Sequence, residues 1–234
     1  MLKQETLNLL KLDDADFKDI FSICIGKTYL YQNRFIDHLG IYNNWSTNVK
    51  EGILKLDDKS FDVEYIGTTS KSDNYWYSSE LESVIPDQYV NFMINIRKMM
   101  RSLNIKNLTE GKIILQNDVT GYNLSMIYVA FAPENTAYFC GSGDVSIYMF
   151  VKNLPEEIFK KINSAEFSSH VMKIISNFNV NHRLMVKALL LENDIEYKND
   201  GNNIIAKFSE NSILTVEFDD NDRIKNISGN LSLY

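Results

Sequence analysis

Two hydrophobic periodicities alternate in blocks along the chain, and this separation constrains the fold more than any other feature. Apolar residues recur at helical spacing from Phe17 towards Leu39 and again from Tyr89 to Leu103. Other segments are short apolar or alternating runs bounded by Asn, Asp and Gly, a pattern typical of strands and turns. Clusters of strands with the helices segregated between them predict an α+β fold with antiparallel sheets.

Two hairpins and two further strands are predicted in the first two thirds of the chain. Their strands lie on either side of an Asp57-Asp58 turn, at Asn74–Ser79, at Lys112–Gln116, at Thr136–Cys140 and at Val145–Val151. The second hairpin is joined by Gly141-Ser-Gly-Asp144, which contains the residues that tight hairpin turns require.

The last part of the chain predicts two helices followed by a meander of four strands. The helices lie at Ser168–Phe178 and His182–Leu191, and the strands lie at Ile195–Lys198, Asn203–Phe208, Ile213–Phe218 and Ile224–Leu231. We therefore predict a helix plus antiparallel-sheet unit over residues 1–162, and C-terminal helices plus a four-strand β-meander over residues 163–234. One continuous domain is equally consistent with the sequence, because no linker separates the two parts.

Capping residues predict where the first helices begin and end. Asp13 or Asp14 is expected to cap the first long helix, and Gly40 is expected to end it. Pro86 is expected to open the helix that carries the second apolar stripe, since proline suits the first helical turn.

The negative net charge limits the classes of molecule that this chain is expected to bind. A net charge of −7 and a pI near 5.1 weigh against binding to nucleic acid or to an anionic membrane, because like charges repel. They leave a basic protein partner open, and a homo-oligomer as well. The apolar runs are too short to span a bilayer, and Cys24 and Cys140 are expected to be reduced thiols in apolar surroundings. These features predict a cytoplasmic protein without a cofactor.

No motif predicts a catalytic residue or a metal site. Gly26-Lys-Thr28 lacks the glycine five residues earlier that a phosphate-binding loop needs. Cys140 stands in a flexible loop with no histidine nearby in sequence, and a glycine-rich hairpin turn is the favoured interpretation. His170 and His182 lie on different predicted helices, without a second metal ligand at helical spacing. An enzymatic function is therefore not favoured.

Aromatic residues are dense in the two strand clusters of the first part of the chain. In Tyr75-Trp-Tyr77 alternate side chains face opposite sides of a sheet, so one side is expected to be partly exposed and available for binding. Packing in the core is the alternative role for most of the aromatic residues. Two arginines at i and i+4 on one helix offer an anion-binding pair. The candidate binding residues are Trp45, Tyr65, Tyr75, Trp76, Tyr77, Arg97, Arg101 and Tyr148.

Six short segments occur in an order that is found in a known family. They are His38-Leu-Gly40, Trp45-Ser46, Gly52–Leu56, Val63–Ser70, Tyr75-Trp-Tyr77 and Thr136–Phe139. Over roughly residues 26–151 they resemble a bacterial family catalogued as domain of unknown function 6882. The resemblance implies an intracellular bacterial α+β protein, and it brings with it no activity, cofactor or site residue.

Two hypotheses for the function follow from these features. The first is a protein-binding module, such as the toxin-neutralising (immunity-type) partner of a basic toxin. The alternative is a small-molecule sensor or enzyme with an aromatic pocket between helix and sheet. Tyr65, Trp76 and Tyr148 would wall that pocket, and Arg97 or Arg101 would hold an acidic group. A deep pocket with an aromatic cluster and a perturbed ionisable residue would favour the second hypothesis, and a flat acidic, aromatic surface without such a pocket would favour the first.

Overall fold

The computed structural model describes residues 1–10, 16–103, 105 and 108–230. The helices are α1 (Gln4–Leu7), α2 (Phe17–Leu39), α3 (Asn91–Ser102), α4 (Gly121–Ala130), α5 (Ser164–Asn177) and α6 (His182–Glu192). The strands are β1 (Trp45–Asn48), β2 (Ile53–Leu56), β3 (Lys59–Ser70), β4 (Tyr75–Ser78), β5 (Lys112–Ile114), β6 (Ala137–Gly141), β7 (Val145–Val151), β8 (Glu196–Asp200), β9 (Asn203–Ser209), β10 (Ser212–Phe218) and β11 (Ile224–Asn230). The strands pair only in antiparallel fashion within these ranges, which confirms the predicted α+β fold.

The described residues divide into two compact units. The first is built mainly from residues 28–159, and the second from residues 2–10, 18–27 and 160–230. The first unit contains β1 to β7 with α3 and α4, and the second contains β8 to β11 with α1, α5 and α6. Among the helices within the described ranges, none is long and apolar enough to cross a membrane.

Strand β3 organises the sheet of the first unit, because its 12 residues are enough to pair with three other strands. Lys59–Asp62 pairs with β2, Gly67–Thr69 with β4, and Val63–Ser70 with β7. The sheet then extends from β2 to β1, from β4 to β5 and from β7 to β6. The two predicted hairpins, β2–β3 and β6–β7, are therefore confirmed.

One face of this sheet, which we call face A, contributes to a buried apolar cluster. Val63 and Tyr65 of β3 share this face with Met149 and Val151 of β7, as their register requires. Phe35 of α2 belongs to the same cluster and is fully buried. Burial of these side chains supplies much of the driving force for folding of the first unit.

The opposite face, face B, packs against α3 and α4. Trp76 of β4 stacks on Tyr128 of α4 with ring centroids 5.3 Å apart. Phe150 of β7 meets Phe92 of α3 edge to face at 4.9 Å. The sheet therefore buries aromatic side chains on both faces over part of its area.

Helix ends follow the predicted caps in one case and depart from them in another. Gly40 ends α2 in the left-handed conformation, with φ +70°, and its N–H donates to the carbonyl four residues earlier at 3.1 Å. The prediction that Pro86 opens α3 is wrong, because a 3-10 turn at Asp87–Tyr89 comes first and Val90, with φ −127°, interrupts the helical conformation. The predicted cap at Asp13 or Asp14 lies outside the described residues.

The second unit contains the predicted meander, in the order β11-β10-β9-β8. The last residue of the predicted fourth strand, Leu231, lies outside the described residues. Asn163 caps α5 by accepting the N–H of Glu166 at 2.9 Å, so this helix begins at Ser164, earlier than predicted. Asn181 caps α6 in the same manner.

A buried carboxylate joins three parts of the second unit. Glu192 of α6 has a side chain that is only 1% exposed. It accepts hydrogen bonds from the Lys3 N–H at 2.8 Å, the Thr6 hydroxyl at 2.6 Å and the Lys27 ammonium at 2.9 Å. Burial alone would raise the pKa of Glu192, but Lys27 and the hydrogen bonds together lower it below its usual value. The carboxylate is therefore ionised and paired, as a buried charge must be.

Candidate functional site

Strand β4 presents its aromatic residues to opposite faces of the sheet. Tyr75 and Tyr77 lie on face A and are half-buried, whereas Trp76 lies on face B and is fully buried. This is the alternation that the sequence predicts for a strand. The partly exposed side of β4 is therefore formed by tyrosine.

Neighbouring strands extend this exposed surface. Residues that pair directly across antiparallel strands point to the same face of the sheet. At this end of face A, the residues brought together in that way are Thr68, Ser70, Tyr75, Tyr77, Lys112, Ile114, Val145 and Ile147. We call this surface the tyrosine face. Ile114 is 58% exposed and Val145 is 49% exposed, so large apolar side chains contact solvent here.

Polar contacts hold the two tyrosine rings in place. The Tyr77 hydroxyl donates to a carboxylate oxygen of Asp73 at 2.9 Å. The Lys112 ammonium lies 3.9 Å from the centroid of the Tyr75 ring and 5.1 Å from that of Tyr77. A cation over an aromatic ring is attracted by the negative face of the ring. The pKa of Lys112 is raised, mainly by hydrogen bonding with Tyr77. The amine is therefore charged at neutral pH.

A groove of about 340 Å³ borders the tyrosine face. Tyr77 and Ile147 line it together with Val49, Val84 and Ile85. Val49 and Ile147 also pack against the buried cluster of face A, whereas Val84 is 64% exposed. The groove is therefore the place where the apolar interior of face A reaches the surface.

Three of the predicted site residues are part of the interior. Trp76 stacks on α4, and a side chain at Gly67 would overlap its indole ring, so the backbone and the ring are in close contact. Tyr148 is buried, and its hydroxyl is 2.9 Å from that of Thr69. Tyr65 is fully buried on face A. The three residues proposed as walls of one pocket therefore lie on two opposite faces of the sheet.

The remaining predicted residues are not among those that form the tyrosine face. Trp45 is half-buried, with its ring against Gly141. Arg97 is buried, forms an ion pair with Glu80, and donates from Nε and Nη2 to the carbonyl of Thr109 at 3.1 and 2.8 Å. Arg101 is exposed and makes a longer contact of 3.4 Å with that carbonyl. Arg97 thus anchors a loop to α3.

The thiol and the histidine considered for catalysis and metal binding, Cys140 and His170, are half-buried and buried, respectively. Burial raises the pKa of the Cys140 thiol, which disfavours the nucleophilic thiolate. His170 is buried, with Nε2 2.7 Å from the carbonyl oxygen of Gly26. Within the described ranges, no group of three His, Cys, Asp or Glu side chains is placed to hold a metal ion.

Several residues of the exposed surface are not indicated by the sequence. Lys112, Ile114 and Val145 lie in strands that the sequence predicts, but only the register of those strands shows that they share a face with the tyrosines. Val84 stands in a connecting segment with no regular pattern. The alternation in β4 was the single sequence signal that indicated this surface.

Comparison with known proteins identifies the family of the chain. A family model described as "Family of unknown function (DUF6882)" matches residues 18–154, which is more than half of the chain and includes the whole tyrosine face. No curated protein and no solved structure matches the chain. The resemblance expected from the sequence is confirmed, and the chain belongs to the family of unknown function DUF6882.

Proposed function

We propose that this protein is a protein-binding module that engages its partner through the tyrosine face. The observation that carries the proposal is the cluster of half-buried tyrosines and exposed aliphatic side chains on one part of face A. Tyrosine is enriched at protein interfaces, because it removes a large area from water and loses little side-chain entropy. Its hydroxyl also keeps such a surface compatible with water before the partner binds.

The charge of the chain supports a basic partner. Residues 28–159 contain 16 Asp and Glu but only 11 Lys and Arg, and the whole chain has a net charge of −7. A negative field accelerates the approach of a positively charged protein. The partner that fits these features is a basic protein, such as a nuclease-like toxin that this chain neutralises in the cytoplasm. Free thiols at Cys24 and Cys140 are in keeping with that compartment.

A capture experiment with matched variants tests the proposal. Tagged protein is used to purify binding partners from the cells that make it, and the retained proteins are identified by mass spectrometry. Val145→Arg and Ile114→Arg place a charge at exposed apolar positions of the tyrosine face. Ile213→Arg is the control, because Ile213 is also a strand residue and is 43% exposed, but it belongs to the second unit.

We expect one stoichiometric partner that binds the wild type and the Ile213→Arg variant and is lost from both tyrosine-face variants. Its binding should weaken as salt is added, because salt screens the attraction between opposite charges. Equal retention by all four proteins, or no partner above background, would contradict the proposal.

The groove beside Tyr77 supports a second candidate function, the binding of a small apolar molecule. Its volume of about 340 Å³ lies at the lower end of the range for small-molecule sites. A thermal-shift screen of metabolites distinguishes the two functions. A ligand that stabilises the wild type but not a Val84→Arg variant would favour the small-molecule site.

A further inference from the structure

A polar cavity of about 690 Å³ lies in the second unit, which the proposed function does not involve. Three basic side chains from three segments line it: Lys18 near the start of α2, His182 at the start of α6, and Arg223 just before β11. Two carboxylates, Asp19 and Asp222, line the cavity as well.

The hydrogen bond made by His182 fixes what this side chain offers to the cavity. Its Nδ1 accepts the backbone N–H of Ile224 at 3.1 Å. In the neutral imidazole the proton then resides on Nε2, which is a donor. Burial lowers the pKa of His182, and the nearby charges of Lys18 and Arg223 lower it further, whereas Asp219 has a smaller opposing effect. At the imidazole itself, the effect of the two cations is therefore larger than that of Asp219.

The acidic side chains around the cavity already have donors. Asp19 accepts a contact of 3.3 Å from the side-chain amide of Asn181. Asp222 forms an ion pair with Arg183. Asp219 accepts two backbone N–H groups of its own turn, each at 2.9 Å. By contrast, no acidic side chain of the described residues forms an ion pair with either cation at the cavity. Positive charge is therefore available to a ligand.

We propose that this cavity, which we call the basic cavity, binds a phosphate group, either as the free ion or as part of a small phosphate ester. Donors that converge from three segments suit an ion with several oxygen atoms in a tetrahedral arrangement, and ionised donors make the strongest hydrogen bonds to such oxygens. The cavity is large enough to hold a phosphate together with a small organic group.

Nuclear magnetic resonance of the isotope-labelled full chain tests the site directly. Inorganic phosphate is added at constant ionic strength and neutral pH, and the resonances of the His182 ring and the Ile224 amide are followed. Both should shift in a saturable manner, because they report the hydrogen bond beside the cavity. Parallel titrations with glycerol 3-phosphate and with glycerol distinguish a phosphate ester from the free ion. Tighter binding of the ester identifies an ester as the ligand, and equal or weaker binding identifies free phosphate.

Matched variants separate the basic cavity from general attraction of anions. Lys18→Met and Arg223→Met should each weaken phosphate binding by about tenfold or more, since each removes one charged hydrogen bond. Lys225→Met is the control, because Lys225 is exposed and does not line the cavity. Lys18 and Arg223 lie outside the apolar core, so these variants should keep the wild-type amide spectrum. Shifts that do not saturate, or equal weakening in all three variants, would overturn the proposal.

Discussion

Alanine substitutions of Trp76 and Tyr77 should have very different effects, although the two residues are neighbours in β4. Trp76 is 0% exposed and packs on Tyr128, whereas Tyr77 is half-buried at the surface. A buried Trp removes roughly 150–250 Å² from water, which at about 25 cal/mol per Å² corresponds to about 4–6 kcal/mol. Substitution of Trp by Ala in a core typically lowers stability by about 3–5 kcal/mol.

One feature of Trp76 places its expected effect at the lower end of this range. Its indole N–H is buried and has no hydrogen-bond partner among the described residues. A buried donor without a partner is unfavourable by about 1–3 kcal/mol, and the substitution removes that penalty. We therefore expect Trp76→Ala to lower the free energy of unfolding of the first unit by about 3 kcal/mol. Trp76→Phe should lower it by only about 1 kcal/mol, because it keeps the aromatic contact and removes the N–H. Tyr77→Ala should lower it by about 1 kcal/mol or less.

Urea unfolding followed by tryptophan fluorescence measures these differences. The two tryptophans of the chain, Trp45 and Trp76, both belong to the first unit. In the Trp76 variants, Trp45 alone therefore reports the unfolding of that unit. The free energies follow from linear extrapolation to water. A loss below about 1 kcal/mol in Trp76→Ala, or an equal loss in Tyr77→Ala, would refute the assignment of these residues to a buried and an exposed face.

Four further results follow from buried groups and close contacts. Glu192→Gln should lower the free energy of unfolding of the second unit by roughly 3 kcal/mol, because Lys27 loses its buried partner. Hydrogen exchange of the α6 amides measures this loss. The pKa of Glu192 is lowered in the folded state, so its stabilisation is complete above the unfolded value of about 4.3. An acid titration should therefore show this contribution disappear as the pH falls through the lower, folded value. In the native protein a thiol reagent should label Cys140 faster than Cys24, because Cys24 is fully buried. Burial also raises the pKa of both thiols, which slows the labelling of each. Gly67→Ala should destabilise the first unit by about 1–3 kcal/mol in urea unfolding, since its Cβ would overlap the buried indole.

Three of these predictions have a matched control. Glu196→Gln changes an exposed carboxylate of the same unit, and an effect as large as that of Glu192→Gln would contradict the role of the buried ion pair. Equal labelling of the two thiols in the native protein would contradict the burial of Cys24, whereas equal labelling in urea is expected. Gly143→Ala brings its Cβ no closer than 3.3 Å to another residue, and a loss similar to that of Gly67→Ala would contradict the steric argument.

Local patterns predicted the elements of this fold because each pattern reflects a preference of the backbone. Gly40 ends α2 in the left-handed conformation that glycine adopts most readily. The glycine-containing segment between β6 and β7 joins them as a hairpin, as its turn-forming residues predict. The pairing of β3 with β7 could not be predicted in this way. The two strands are distant in sequence, and their register depends on how apolar side chains on both faces pack together.

The candidate site shows the same division between local and distant causes. Helical spacing predicts Arg97 and Arg101 as an anion-binding pair, but Arg97 is buried and pairs with Glu80 from the turn after β4. A buried charge requires such a partner, and nothing in the sequence indicates which distant residue provides it. The alternation in β4 separated Trp76 from its neighbouring tyrosines, but packing of α4 decides which side is covered.

The polar contacts of the tyrosine face favour a binding role over a purely structural one. A tyrosine that served only to fill the interior would be covered by other apolar groups, as Tyr65 is. Tyr75 and Tyr77 instead remain half-exposed, and the contacts with Asp73 and Lys112 restrict their rings at the surface. Side chains ordered before association lose less entropy on binding, so a partner gains more of the contact energy. Because such ordering would favour association while the rings stay accessible to solvent, it supports our proposal that the tyrosine face is the interface.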